Sequence, residues 1–79
     1  MIRDEVVTII AEQLDVKEKE VTDEAHLVND LGADSLDLTE LVMSLEDKAG
    51  IEIDDDEAQS LINLEEILKF LKKKKAIAA

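Results

Sequence analysis

The sequence predicts an all-α protein, a small four-helix bundle with three longer helices, one short helix and a long first loop. Helix breakers are rare, since the 79 residues include no Pro and two Gly. Hydrophobic residues make up 46% of the chain and aromatic residues 1%, and the aliphatic ones recur at the spacing of amphipathic helices. The chain has no Cys, so helix packing has to stabilise what we expect to be one domain over residues 1–79.

The first helix is predicted at residues 2–14, where Ile2, Val6 and Ile10 recur at helical spacing. Residues 15–33 show no sustained period. A loop of this length in a small domain has to be packed down or functional. Scattered apolar residues in it favour a segment pinned across the bundle. These are Val16, Val21, Leu27, Val28 and Leu31.

The second helix is predicted at residues 35–49, with Asp34 as its N-cap and Gly50 as its stop. One of its faces is aliphatic and has to pack against the core. The opposite face is acidic but also carries Leu36 and Met43, and apolar side chains among charges indicate a contact surface. We therefore expect a partner-binding face on this helix. Its residues are Asp34, Leu36, Asp37, Glu40, Met43 and Asp47.

Two capping patterns predict the remaining helices. Asp54 with Glu57 begins a short helix at about 55–60, and Asn63 with Glu66 begins a last helix expected to end near Lys73. We expect residues 75–79 to fray. The acidic run 54–57 lacks the Gly and the alternating ligands of a calcium loop, so no metal site is predicted.

The net charge of −12 is unevenly distributed. All 21 acidic residues lie within residues 1–68, whereas residues 69–79 contain five lysines and no acid. An acidic body disfavours nucleic acid and anionic membranes and attracts basic protein surfaces. No apolar run reaches membrane-spanning length, and the first residues do not resemble a signal peptide. We expect a monomer without stable membrane insertion, either cytoplasmic or organellar after removal of a transit segment.

Ser35 is the residue around which these features converge. It stands at the start of the second helix, where unpaired N–H groups and the helix dipole would stabilise a phosphate ester. The segment is not the Gly-x-Ser-x-Gly of a nucleophile elbow, and a single histidine, His26, in the loop is thin support for a catalytic base. We therefore expect no enzyme activity and no catalytic residue.

Residues 30–37 (DLGADSLD), together with 40–43 (ELVM) and 51–53 (IEI), resemble the acyl carrier protein family along nearly the whole chain. The resemblance implies that Ser35 carries covalent 4′-phosphopantetheine, derived from coenzyme A, whose thiol holds acyl chains as thioesters. It implies as partners a phosphopantetheinyl transferase and fatty acid biosynthesis enzymes with basic patches. It further implies an acyl pocket between the helices. Its residues would be Val28, Leu41, Val42, Leu45, Ile53, Ala58, Leu61 and Ile67.

Two alternatives stay open. A polyketide or peptidyl carrier would share the motif, and an acidic helical adaptor without a prosthetic group would share the charge and the helices. The chain also departs from the family, with Ala49 where a bulky aromatic residue is usual, Asp54 where Pro is common, and a lysine run at 72–75 that is no family hallmark.

Overall fold

The fold is all-α, as predicted. A computed structural model describes the backbone of residues 3–78 and the side chains of residues 3–74. The four helices are α1 (Arg3–Leu14), α2 (Ser35–Ala49), α3 (Asp55–Gln59) and α4 (Leu64–Ala78), and the described backbone contains no strand. The prediction of three longer helices, one short helix and a long first loop is confirmed. Within the described residues, no helix is both long and apolar enough to cross a membrane.

The helix starts are set by side chains that accept backbone N–H groups. The Asp54 carboxylate accepts the Glu57 N–H at 2.8 Å, and the Glu57 carboxylate accepts the Asp54 N–H at 3.2 Å. The Asn63 Oδ1 accepts the Glu66 N–H at 2.9 Å. Each bond satisfies an amide that the helix itself leaves unpaired, which is why these short patterns locate the helices.

Two helix ends differ from the predicted ones. α3 ends at Gln59, and Ser60 is its C-cap. α4 continues to Ala78, beyond the predicted end at Lys73, because the lysines and alanines that follow are good helix formers and no Gly or Pro stops them. The side chains of residues 75–79 and the whole of residue 79 lie outside the described part of the chain, so the fraying of residues 75–79 stays a prediction. Ile2, predicted as part of the first helix, also lies outside the described residues.

The core consists of aliphatic side chains contributed by every long helix. Leu41 and Leu45 of α2 and Leu64 and Ile67 of α4 are at most 2% exposed. The single aromatic residue, Phe70, packs beside this cluster and is only partly buried. The interior is therefore filled almost entirely by aliphatic side chains.

The first loop is pinned across the bundle, as its apolar residues predicted. Val21, Leu27 and Ala33 are buried. The Leu27 N–H donates to the Ile62 carbonyl at 2.9 Å, and the Ala33 N–H donates to the Leu27 carbonyl at 2.9 Å. The loop is therefore tied to the α3–α4 connection immediately before it reaches α2. It also contains a 3-10 turn, Glu18–Glu20, that the sequence analysis did not predict.

We expect the stability of this fold to depend on ionic strength. Repulsion among 21 carboxylates opposes the compact state, and the Debye length falls from about 30 Å at 0.01 M salt to about 10 Å at 0.1 M. Raising NaCl across this range should raise the Tm by about 4–8 °C, the shift that 1 kcal/mol produces in a domain of this size. Thermal unfolding followed by circular dichroism measures it.

A variant with fewer charges is the control. Asp56 is exposed in the first turn of α3 and has no ion pair among the described side chains. Asp56→Asn should therefore reduce the salt-dependent rise in Tm. A Tm that is constant over this salt range in both proteins would contradict the repulsion argument.

Candidate functional site

Ser35 is the first residue of α2 and is exposed. The preceding residue, Asp34, is an extended N-cap whose carboxylate accepts the Asp37 N–H at 2.8 Å. The Asp37 carboxylate returns a bond by accepting the Asp34 N–H at 3.2 Å. These two reciprocal hydrogen bonds fix the residue at which α2 begins, and they therefore place Ser35 at its N-terminus.

Only some of the backbone N–H groups at the N-terminal end of α2 have a hydrogen-bond acceptor among the described residues. The Asp34 side chain takes the Asp37 N–H, and the Asp34 carbonyl takes the Leu38 N–H at 3.0 Å. These bonds leave the N–H groups of Ser35 and Leu36 as donors at the positive end of the helix dipole. A phosphate ester on the Ser35 hydroxyl fits this environment, because it needs an accessible oxygen and gains from donors near its negative charge.

The predicted partner-binding residues lie together on the outer side of α2. Leu36 is 65% exposed and Met43 is 60% exposed, although both are large and apolar. Asp34, Glu40 and Asp47 are exposed, and Asp37 is half-buried. We call these six residues the docking face. They are Asp34, Leu36, Asp37, Glu40, Met43 and Asp47.

No ion pair among the described side chains involves an acidic residue of the docking face. The ion pairs among the described side chains join Arg3 to Asp23, Lys69 to Glu65 and Glu66, and Lys74 to Glu57. None of them involves α2. Glu40 accepts a hydrogen bond at 2.7 Å from the neutral amide of Gln13, which orients the carboxylate without cancelling its charge. The carboxylates of the docking face therefore have no cationic partner among the described side chains.

A cavity of about 640 Å³ lies between α2 and α3. Its lining runs along α2 from Ser35 to Glu46 and continues on Ile53, Ala58 and Leu61 at and beside α3. We call it the α2–α3 cavity. Ser35 lies at the end of the lining where α2 begins, so a group attached there has direct access to the cavity.

Six residues predicted for a pocket line this cavity. They are Leu41, Val42, Leu45, Ile53, Ala58 and Leu61. Val28 and Ile67 are not among the lining residues. Val28 is 42% exposed, since it lies in the turn that precedes Gly32, and Ile67 is fully buried within the core. Residues that the sequence analysis did not assign to the pocket also line it. They include Leu38, Thr39, Met43, Glu46, Asp55 and Gln59.

The loop before α3 is held by Glu46. The Glu46 carboxylate accepts the Ile53 N–H at 2.8 Å, and the Glu46 carbonyl accepts the N–H groups of Gly50 and Ile51. Gly50 has a left-handed backbone with φ of 67°, which lets the chain reverse at the end of α2. Ile53 is thereby placed in the cavity wall. No local pattern identifies this role, because the bond spans seven residues between a helix and a loop.

His26 also has a structural role that the sequence analysis did not predict. Its Nδ1 accepts the N–H groups of Val28 and Asn29, both at 3.1 Å, and its own N–H donates to the Asp30 carboxylate at 2.7 Å. The imidazole thus caps the turn that leads towards Ala33 and Asp34. An imidazole nitrogen that accepts two backbone donors is an unusual cap, so the usual capping residues give no signal for it.

The described side chains contain no group of three or more His, Asp or Glu that could hold a metal ion. The acidic residues of α2 and of the α3 start are spread along helix surfaces.

Residues 4–71 match the family model described as the phosphopantetheine attachment site. An acyl carrier protein of Nitratidesulfovibrio vulgaris is 48% identical over 73 residues, which is 92% of this chain and 96% of the relative. Acyl carrier proteins of Helicobacter pylori strains G27 and 26695 are 46% and 47% identical over 72 residues, 91% of this chain and 92% of each relative.

The chain belongs to the acyl carrier protein family. It is therefore a carrier with a phosphopantetheine attachment site and not an enzyme, as the resemblance implied. Both residues at which the chain departs from the family pattern, Ala49 and Asp54, have a structural role here. Ala49 packs partly buried against the core, and Asp54 caps α3.

The cap at the start of α2 should be measurable as stability. Asp34→Ala removes the acceptor for the Asp37 N–H and should lower the free energy of unfolding by about 1 kcal/mol. Asp34→Asn retains a side-chain oxygen and should change it by only a few tenths of this amount. Urea denaturation followed by circular dichroism compares the two. Equal losses in both variants would show that charge, and not the capping bond, is what matters.

Proposed function

We propose that Ser35 carries 4′-phosphopantetheine as a phosphodiester and that the carrier delivers acyl thioesters to enzymes of fatty acid biosynthesis. The observation that carries the proposal is the exposed Ser35 at the capped start of α2, at the end of the α2–α3 cavity. The prosthetic group supplies a thiol, which this chain lacks because it has no Cys.

In the attachment reaction, the Ser35 oxygen forms a bond to the phosphorus that bears the pantetheine arm of coenzyme A, and the hydroxyl gives up its proton. The bond from that phosphorus to the adenosine bisphosphate oxygen breaks, and adenosine bisphosphate leaves. A phosphopantetheinyl transferase supplies the catalysis. What the carrier supplies is position: the hydroxyl is exposed, and the free N–H groups of Ser35 and Leu36 lie beside the resulting phosphate.

The other two serines are less suited to modification. Ser44 lies within α2 and is only partly accessible. Ser60 is exposed as the C-cap of α3, but its hydroxyl donates to the Glu57 carbonyl at 2.7 Å. Neither lies at the N-terminal end of a helix, so neither has the amide donors that Ser35 has.

Modification at one residue can be tested by intact mass. Incubation of the unmodified protein with coenzyme A and a phosphopantetheinyl transferase should add one phosphopantetheine, and Ser35→Ala should add none. Ser60→Ala is the matched control and should be modified like the parent chain. Modification of Ser35→Ala would contradict the assignment of Ser35.

The second part of the proposal concerns the acyl chain. The α2–α3 cavity begins at Ser35 and is lined on its inner side by Leu41, Leu45 and Ile53. Apolar lining between helices is typical of sites that bury alkyl groups. We propose that an acyl chain attached through the thiol enters this cavity, and that the burial of apolar surface stabilises it there.

The third part concerns partners. The docking face combines uncompensated carboxylates with the exposed side chains of Leu36 and Met43. Such a face fits an enzyme surface that has basic residues around an apolar contact. Charge attraction speeds encounter, and a small apolar contact permits exchange between successive enzymes. We propose the transferase and basic-patched biosynthetic enzymes as its partners, with nucleic acid excluded.

We propose that the carrier is a cytoplasmic monomer. The bacterial source of the relatives supports the cytoplasm over an organelle. The polyketide and peptidyl alternatives share the attachment chemistry. The acidity of the docking face and Asp34 before Ser35 favour the fatty acid type.

Charge reversal on the docking face should slow association with a basic partner enzyme. Glu40→Lys and Asp47→Lys should each lower the association rate constant, and the loss should shrink as salt is raised. Met43→Ala should weaken affinity with little change in salt dependence. Stopped-flow or surface plasmon resonance at two salt concentrations measures these effects.

The matched control is Glu12→Lys, the same reversal at an exposed position of α1. Its association rate should change much less than those of the α2 variants. If Glu12→Lys slows association as much as Glu40→Lys does, then net charge alone explains the effect and the docking face is not specific.

A further inference from the structure

Helix α3 is weakly anchored although it forms one wall of the α2–α3 cavity. Its residues Asp55, Ala58 and Gln59 line the cavity, yet none of its five residues is buried. The buried anchors are Ile53 and Leu61, which lie just outside the helix. Polar contacts therefore contribute to holding α3 in place as a wall of the cavity.

One such contact joins α3 to α4. The Lys74 Nζ lies 3.1 Å from the Glu57 Oε2, and both side chains are only about one-third exposed. The same Nζ lies 5.5 Å from the centre of the Phe70 ring, within the range of a cation–π interaction. The ammonium is thus held between the single aromatic ring of the chain and a carboxylate of the neighbouring helix.

The other lysines of α4 whose side chains are described do not make such a contact. Lys69 pairs with Glu65 and Glu66 at 3.3 and 3.9 Å, both on its own helix. Lys72 and Lys73 are exposed and have no ion pair among the described side chains. Within the described part of the lysine run, Lys74 is the residue that bridges to another helix.

Glu57 connects this ion pair to the start of α3. Its Oε1 accepts the Asp54 N–H at 3.2 Å, while its Oε2 faces Lys74. A single carboxylate therefore closes the capping box of α3 and ties the helix to α4. Release of Lys74 would free this carboxylate to rotate and would loosen both the cap and the inter-helix contact.

We propose that Lys74 is a positioning residue for the α2–α3 cavity. Its ion pair with Glu57, supported by Phe70, holds α3 against α4 and limits the opening of the α3 wall. This rests on the proposed function: with an acyl chain in the cavity, the same contact sets how well the chain and its thioester are shielded from water. One residue of the lysine run at 72–75 thus helps to hold two helices together.

The first experiment uses the unmodified protein and compares Lys74→Gln with Lys73→Gln. Both remove one charge from adjacent positions, but only Lys74 contacts Glu57. Hydrogen exchange of the Ala58 and Leu61 amides, which bond to the Asp54 and Ala58 carbonyls, reports on α3. We expect exchange about two- to fivefold faster in Lys74→Gln, the effect of one partly exposed ion pair, and unchanged in Lys73→Gln. Equal exchange in the two variants would overturn the proposal.

A double-mutant cycle isolates the pair. Glu57→Gln keeps an oxygen that can accept the Asp54 N–H but removes the charge that attracts Lys74. Exchange in Glu57→Gln/Lys74→Gln should be no faster than in Lys74→Gln alone, since the ion pair is already lost. Additive effects of the two substitutions would mean that each residue acts independently and would overturn the pairing.

The second experiment measures thioester hydrolysis in the carrier loaded with octanoyl or acetyl phosphopantetheine. Lys74→Gln should hydrolyse the octanoyl thioester faster than Lys73→Gln does, while acetyl, too short to need the cavity, should hydrolyse equally in both. An unchanged octanoyl rate despite faster exchange would overturn the role in shielding. Failure of loading at Ser35 would instead contradict the proposed function, and the exchange measurements would still test the ion pair.

Discussion

The position at which α2 begins is the constraint on which the rest of the structure depends. The reciprocal bonds between Asp34 and Asp37 determine the first helical residue, and the helical period then orients every later side chain. Leu41 and Leu45 consequently face the core, whereas Leu36 and Met43 face solvent. A shift of one residue would turn the helix by about 100° and would separate Ser35 from the cavity.

The first loop supports this arrangement from the other side. Leu27 bonds to the Ile62 carbonyl and also accepts from Ala33, so the backbone just before Asp34 is attached to the connection between α3 and α4. The caps at Asp34, Asp54 and Asn63 and the loop bonds are all directional, whereas the aliphatic core is not. Directional contacts thus define where the helices begin, while the core leaves room for the cavity between α2 and α3.

Much of the fold follows from local patterns. Helix starts are predictable because a cap and the amide it accepts are three residues apart, as with Asp54 and Glu57. The end of α2 is predictable from Gly50. The division of α2 into a core-facing side and the docking face is also predictable, because the helical period assigns each residue to one side or the other. What could not be predicted depends on contacts between distant segments. The Glu46–Ile53 bond, the imidazole cap of His26, and the position of Val28 outside the cavity all require knowledge of the tertiary arrangement.

The distribution of ion pairs has a consequence for recognition. Lys69 and Lys74 are paired with acidic residues of α3 and α4, and Arg3 is paired with Asp23 of the loop. The ion pairs among the described side chains therefore lie on α1, the first loop, α3 and α4, and not on α2. The acidic residues of α2 have no ion pair among the described side chains, and the Gln13 amide that contacts Glu40 is neutral. This arrangement leaves negative charge along the helix that begins at Ser35, whereas on α3 the Glu57 carboxylate is paired with Lys74.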